Sequence, residues 1–261
     1  MLRLKQISKS FPGVQALSQV DFEVEAGEVH ALVGENGAGK STLTKIIAGA
    51  YQPDAGHIEL DGAAVRWDSP ADAKRRGIHV IYQELILFPE LSVAENIFIG
   101  NERRRASGAI DYRRTLAEAS DILKRLGAGL DPRLRVGELS VANQQMVEIA
   151  RALVQNVRLL VLDEPTAVIS SREVEQLFKR LRALRSEGVA IVYISHRLDE
   201  VFELSDRVTV LKDGALIGTQ ATAAMTRDRL ISMMVGRDLA HLFPPKRPVK
   251  PDRPTVLRAN N

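Results

Sequence analysis

The amino-acid sequence predicts an α/β fold with an antiparallel β region and a helical insertion, and three observations carry that prediction. A glycine-rich loop joins an apolar, strand-like run to a helix at Val33-Gly34-Glu35-Asn36-Gly37-Ala38-Gly39-Lys40-Ser41-Thr42. Further apolar runs at 78–82, 159–162 and 189–194 each stop at polar residues, as parallel strands do where they deliver side chains to a ligand. Between 91 and 153 the apolar spacing becomes that of helices. A chain of 261 residues, 45% hydrophobic and 26% charged, suits one large α/β domain or two small ones.

The loop fits the pattern G-x-x-x-x-G-K-[ST] at every fixed position. Val29 to Val33 forms the strand before it, and Ser41 to Ala48 sets Leu43, Ile46 and Ile47 on one helical face until Gly49 ends the helix. Such a turn gathers unpaired backbone N–H groups and a positive helix end around one point, which stabilises a polyphosphate. Lys40 adds a full charge there, and Ser41 supplies a hydroxyl able to reach Mg²⁺ beside the β and γ phosphates. The chemistry is that of a nucleotide.

Taken in order, Leu2, Leu4 and Ile7 and then Val20, Phe22 and Val24 alternate as strands of an antiparallel edge region, closed by the turn Glu25-Ala26-Gly27-Glu28. Phe11, between those strands, is either a plug in a small core or a face on which a base stacks. A second hairpin runs from Gly56 to Leu60, turns at Asp61-Gly62 and returns through Val65-Arg66-Trp67. The strand from Ile78 to Tyr82 delivers Gln83. Tyr112 to Leu126 is the clearest amphipathic helix, with Leu116, Ala119, Ile122, Leu123 and Leu126 at helical spacing and Gly127, Gly129 and Pro132 closing it. Arg103-Arg104-Arg105 reads as a solvated loop. Ser140 is the N-cap of a helix running through Leu153.

The buried strand from Leu159 to Leu162 ends in Asp163-Glu164-Pro165-Thr166, where proline enforces the stop. With a phosphate loop upstream, two carboxylates there suit a magnesium–phosphate site: one holds the metal's water shell and the other orients the attacking water. A helix from Ser171 to Glu187 and a strand from Val189 to Ile194 deliver Ser195-His196. His196 then joins Lys40, Gln83, Asp163 and Glu164 at one sheet edge, as a γ-phosphate contact. A hairpin of Val208 to Leu211, Lys212-Asp213-Gly214 and Ala215 to Ile217 finishes the fold.

Composition excludes several chemistries. With no cysteine there is no disulfide framework, thiol catalysis or cysteine metal site. Met1 to Lys5 lacks the apolar core of a signal peptide, and no uncharged run approaches the ~18 to 20 apolar residues that span a bilayer, so a soluble chain is expected. A net charge of +3 with pI ≈ 9.2 permits nucleic acid or acidic lipid but is modest for this size.

The phosphate loop, Gln83, Leu139-Ser140, Asp163-Glu164 and His196, in that order, resemble the ATP-binding cassette of ABC transporters over nearly the whole chain. Phe11-Pro12-Gly13-Val14, Gly34-Glu35-Asn36-Gly37 and Tyr193-Ile194-Ser195-His196-Arg197 are most similar to the N-terminal cassette of fused bacterial sugar importers of the ribose, galactose and rhamnose type. The resemblance implies a P-loop NTPase (ABC ATPase) core over 1–235, with an antiparallel β subdomain and an α-helical subdomain inserted at about 86–154. It implies an Mg²⁺-dependent ATPase powering sugar import, with ATP and Mg²⁺ in its site. Its partners would be a second cassette, transmembrane permease subunits and, indirectly, a periplasmic sugar-binding protein. Its place would be peripheral, on the cytoplasmic face of the inner membrane, with no nucleic acid partner. The alternative, a soluble ABC ATPase acting on nucleic acid or ribosomes, draws on the pI and the arginine run but expects long arm insertions, which the sequence lacks. A P-loop kinase would leave Gln83 and the Leu139-Ser140 segment without a role.

Under that resemblance Gly34, Glu35, Asn36, Gly37, Ala38, Gly39, Lys40, Ser41 and Thr42 hold the phosphates and Phe11 stacks on adenine. Ser41, Gln83 and Asp163 serve the metal, and Gln83 also senses the γ-phosphate. Glu164 is general base, His196 is the switch residue on the γ-phosphate, and Lys40 completes the catalytic set. Ser140 belongs to the signature segment that meets a second cassette's nucleotide, and Glu84 to Asn96 docks the permease. Two departures stand out. The family's Leu-Ser-Gly-Gly-Gln carries Val141, Ala142 and Asn143 in its last three places, and Ala167-Val168-Ile169-Ser170 replaces Ser-Ala-Leu-Asp, removing the aspartate that couples opposite sites. Similar replacements occur in the N-terminal cassettes resembled. Five of the eleven prolines fall between Phe243 and Pro254 among Lys246, Arg247, Lys250 and Arg253, which reads as an extended charged linker. Thr255-Val256-Leu257-Arg258 then resembles Met1-Leu2-Arg3-Leu4, so 236–261 is expected to be a linker and the start of a second cassette.

Overall fold

Two residues, Pro12 and Gly13, turn β1 (Leu2–Phe11) back into β2 (Val14–Val24). β3 (Val29–Val33) leaves for a second sheet and is followed by α1 (Lys40–Ile47) and the hairpin β4 (Ala55–Leu60) and β5 (Ala63–Val65). After α2 (Pro70–Arg75) and β6 (Ile78–Ile81) come the inserted helices α3 (Val93–Phe98), α4 (Tyr112–Arg125) and α5 (Val141–Val154). The chain closes with β7 (Leu159–Asp163), α6 (Ser171–Ser186), β8 (Ala190–Ile194), α7 (Leu198–Leu204), β9 (Arg207–Lys212), β10 (Ala215–Ala221) and α8 (Arg227–Val235). The structure, a computed structural model, describes residues 1–236. The proline-rich tail and the expected start of a second cassette lie outside the described residues, apart from Gly236.

The strands form two sheets. An antiparallel one runs β2-β1-β4-β5, and a six-stranded one runs β10-β9-β3-β8-β7-β6. In the second, β3 pairs in parallel with both β8 and β9, β8 with β7 and β7 with β6, while β10 adds antiparallel to β9. β3 is therefore interior, and all five of its residues are buried. That burial explains its near-continuous apolar sequence, since a strand covered on both faces has no use for alternation. Its one polar member, His30, meets Thr209 Oγ1 at 2.7 Å through Nε2.

Of the three apolar clusters on this sheet among the described residues, two position the site. One joins Leu2, Leu4 and Phe22 of the antiparallel sheet to Leu43 and Ile46 of α1 and to Val192 of β8, so α1 is fixed by both sheets. The other joins Val93, Ile97, Ala119 and Leu123 of the insertion to Ile149 of α5 and Phe178 of α6. The helical insertion thus shares a core with the sheet that carries the site.

Several expectations need correction. The insertion is less helical than its apolar spacing suggests, since 99–111 and 126–135 carry no α-helix. Arg103 is not simply solvated: its Nε donates to Glu118 Oε2 at 2.6 Å and its guanidinium lies 4.8 Å from the Phe98 ring centroid. Arg104, which donates to Gly108 O, and Arg105, near Asp111, are exposed in a loop, as the solvated reading expects. Trp67, read as part of a strand, lies beyond β5 and is buried. The short helices α2, α7 and α8 are additions, too short to show a clear apolar period. Among the described residues no helix is long and apolar enough to cross a membrane.

Candidate nucleotide site

The phosphate loop leaves the carboxyl end of β3 and enters α1 at Gly39, whose φ of 103° only glycine adopts without strain. A Cβ there would stand 2.7 Å from Ala16 O, and one on Gly34 would stand 2.3 Å from Leu211 O, so both positions exclude a side chain. No side chain caps α1 and no acid occupies its first turn, which leaves its N–H groups for a ligand. Lys40 is buried, and its Nζ donates to Gly34 O at 2.8 Å and Glu35 O at 3.0 Å. Burial pulls its pKa below the usual lysine value, and the carboxylates of Glu164 and Asp163 oppose that shift.

A cleft of about 480 Å³ brings the loop from Asn36 to Thr42 together with Phe11, Gln83, Asp163 and Glu164. Asp163 ends β7, and burial, followed by the charge of Glu164, pushes its carboxyl above the usual range against the pull of Lys40 and Lys45. Glu164 sits just past the strand at φ 48°, in the left-handed region, with its N–H donating to Ile194 O at 2.9 Å. Its Oε1 lies 3.1 Å from His196 Nδ1. His196 is thus at the expected sheet edge, but it meets Glu164 rather than lining the cleft.

Phe11 is not a plug: it is 37% exposed and packs edge-on against Tyr51, with ring centroids 5.4 Å apart. Tyr51 escaped sequence reasoning, although Gly49 two residues earlier marks where the chain after α1 turns back. Ser140 stands apart from this cleft. It caps α5, accepting from Asn143 N at 3.4 Å, and lines a separate groove with Ser170 and Glu173 of the loop and helix after β7. Val141, first in that helix, is 41% exposed.

The donor set fits a hard cation. Gln83 and Asp163 offer oxygen, as does the Ser41 hydroxyl, around one cleft. Among the described residues no three His, Cys, Asp or Glu cluster as a cage. These oxygen donors suit Mg²⁺, which keeps waters and takes phosphate oxygens beside one or two protein ligands. The raised Asp163 pKa marks a carboxylate to which an added cation would be favourable.

A phosphate loop rising from an interior parallel strand, with an acidic pair ending β7 of the same sheet, defines a P-loop NTPase. Residues 17–167 match the family described as ABC transporter, and the chain belongs to that family. It is 53% identical over 247 residues to the ribose import ATP-binding protein RbsA 2 of Burkholderia pseudomallei, covering 93% of this chain and 48% of that one. To the ribose import ATP-binding protein RbsA 1 of Streptomyces coelicolor it is 50% identical over 258 residues, covering 99% of this chain and 51% of that one. The chain therefore spans about half the length of the curated relatives it matches. Its fold is similar to an ATP-binding cassette of an ABC transporter solved in an ADP conformation, with TM-score 0.79, 27% identity, and 91% and 99% of the two chains covered. A bacterial ABC transporter cassette solved as a dimer gives TM-score 0.73 and 27% identity, with 86% and 100% covered. These structures are ABC ATPase cassettes, and the present chain shares their α/β fold.

Proposed function

We propose that this chain is an ATP-binding, Mg²⁺-dependent ATPase cassette that powers sugar import. The observation that carries the reading is the single cleft in which the Lys40 loop faces Asp163 and Glu164. The relatives named ribose import ATP-binding proteins support the sugar class. In this reading the loop from Gly34 to Thr42 and Lys40 bind the β and γ phosphates, while Phe11, extended by Tyr51, offers an aromatic face to adenine. Ser41, Gln83 and Asp163 would hold Mg²⁺, which supplies charge neutralisation on the phosphates. Glu164 orients the attacking water and accepts its proton, and His196, in contact with Glu164, holds the γ-phosphate side of that arrangement.

The partners follow from what the chain lacks on its own. Val141 and Ala142 stand where the signature of a cassette otherwise offers glycine backbone, so a second copy of this chain would present side chains to the γ-phosphate. The competent site therefore pairs Lys40 and Glu164 with a different, glycine-bearing cassette. Exposed Ile86 and Phe88, between Gln83 and α3, offer the apolar contact for a permease loop, and the sugar-binding protein acts only through that permease. In this reading the cassette sits peripherally on the cytoplasmic face of the membrane. The nucleic acid reading is not favoured, since the relatives are named ribose import ATP-binding proteins.

Turnover per molecule against protein concentration tests the proposal, for this chain, for its Val141→Gly plus Ala142→Gly variant and for the chain mixed with a glycine-bearing second cassette. We expect slow turnover from the chain alone and faster turnover from the variant and the mixture. Fast, concentration-independent turnover of the unmodified chain would refute it, since one cassette alone would then make a complete site.

A further inference from the structure

Behind Glu164 and His196 lies a carboxylate that the proposed chemistry does not use. Glu200, in the first turn of α7, is 4% exposed. Its Oε2 accepts three hydroxyl hydrogen bonds, from Thr166 Oγ1 at 2.7 Å, Tyr193 OH at 2.7 Å and Ser195 Oγ at 3.0 Å. Arg197 Nη1 stands 2.8 Å from Oε1 as an ion pair, off the line of a hydrogen bond. Burial and then the charge of Glu200 push the Tyr193 hydroxyl far above its usual pKa, so it remains a donor.

The donors come from the two segments that carry the reacting groups. Thr166 follows Glu164 by two residues, while Tyr193 and Ser195 lead directly to His196. Ser195 Oγ also accepts from Arg197 N at 3.0 Å, which fixes the turn around His196. A left-handed non-glycine residue such as Glu164 persists only where its surroundings over-determine it. The bond from Glu164 N to Ile194 O ties one side of that turn, and the Thr166–Glu200 bond ties the other. A buried acid is costly compared with an apolar residue of similar volume, and the best-attested use of such a group is to fix register.

We propose that Glu200 is a positioning residue for ATP hydrolysis: its buried carboxylate fastens the loop carrying Glu164 to the loop carrying His196 and so holds those two side chains in contact. This rests on reading Glu164 and His196 as the γ-phosphate machinery. Glu200 does not line the nucleotide cleft, so its loss should move turnover and leave binding in place.

The test uses the assembled transporter, comparing Glu200→Ala, Glu200→Gln, Thr166→Val and the Thr166→Val plus Glu200→Gln pair. Glu200→Ala should lower kcat about tenfold or more with KM for ATP held within about threefold, because misplacing a reacting group costs rate rather than affinity. Glu200→Gln, which keeps one acceptor oxygen, should lose less, and its effect should not add to that of Thr166→Val. Backbone hydrogen exchange should rise together in 164–167 and 195–197 and stay unchanged in 34–42. Unchanged kcat, or exchange rising across the whole sheet, would overturn the proposal, the second by making Glu200 a general stabiliser. If Glu200→Ala does not fold, Thr166→Val plus Ser195→Ala removes two of the three donors and carries the same expectations. Full turnover in Glu164→Gln would instead overturn the reading of Glu164, while exchange in the two loops still decides whether Glu200 fastens them.

Discussion

Replacing Lys40 by methionine keeps the length of the side chain and removes its charge, which isolates the ammonium's share of nucleotide binding. In the structure Nζ already holds two carbonyls, Gly34 O and Glu35 O, so a phosphate does not gain a free cation. It replaces charge–dipole bonds by a charge–charge one. A hydrogen bond to a charged group contributes about 1.5–3 kcal/mol, and the bonds given up place the net near the lower end, about 2 kcal/mol. That corresponds to roughly a thirtyfold loss in ATP affinity. Glu35 is exposed, so its freed carbonyl can take water, whereas Gly34 is buried and its carbonyl loses a donor, so some loss of stability is expected beside the loss of affinity. Titration calorimetry with MgATP on Lys40→Met and Lys40→Ala, with thermal unfolding as a control, measures both. Affinity within about threefold of the unmodified chain, measured on folded protein, would refute the reasoning by showing that the ammonium contributes nothing at the phosphates.

Two further outcomes are expected. Glu164→Gln should still bind ATP and lose about 10² or more in turnover, measured by phosphate release in the assembled transporter, because the amide cannot accept the water's proton. His79, buried on β6, is pushed down to about 4 from 6.5 by burial and then by the charges of Lys74 and Arg151. It contributes stability present above pH 6.5 that is lost as pH falls towards 4, about 3 kcal/mol in all. Asp163 and Glu148, both raised by burial, act in the opposite direction, so the comparison of denaturant unfolding for the chain and for His79→Gln is the readout. Parallel curves between pH 7 and 4 would show that His79 is not held neutral.

The parts of the site that could be read from the sequence are those whose physics is local. A phosphate loop needs glycines, a lysine and a hydroxyl at fixed spacing, and a buried strand ending in Asp163-Glu164 shows itself in a few residues. The order β10-β9-β3-β8-β7-β6 was not legible, because strand neighbours are set by contacts far apart in sequence. Phe11 shows the limit sharply: an aromatic at a strand end can face core or cleft, and its exposure and place in the cleft show only in the fold. Glu200 was invisible for the same reason. It follows Asp199 in an ordinary acidic pair, yet the side chain of Asp199 is 82% exposed while that of Glu200 is 5% exposed. Nothing in the two letters tells which one the fold encloses.

The two departures from the cassette pattern acquire a common local explanation. Val141 begins α5 immediately after the Ser140 cap, where a side chain suits a helix but glycine would be needed to let backbone approach a phosphate to ~3 Å. Ser170, in place of the coupling aspartate, gives its hydroxyl to Glu173 Oε2 at 2.7 Å and its N–H to the same oxygen at 2.9 Å. It is spent on starting α6. Both positions thus stand at the starts of their own helices. The phosphate side of the chain meets the opposite condition: an uncapped α1, a buried lysine and a raised carboxyl at Asp163, all of which an anionic nucleotide with its metal would relieve. A chain with an open phosphate loop on one side and no glycines at 141 and 142 on the other fits the proposal of an unequal partner, and in such a pair the proposed chemistry belongs to the site built on Lys40 and Glu164.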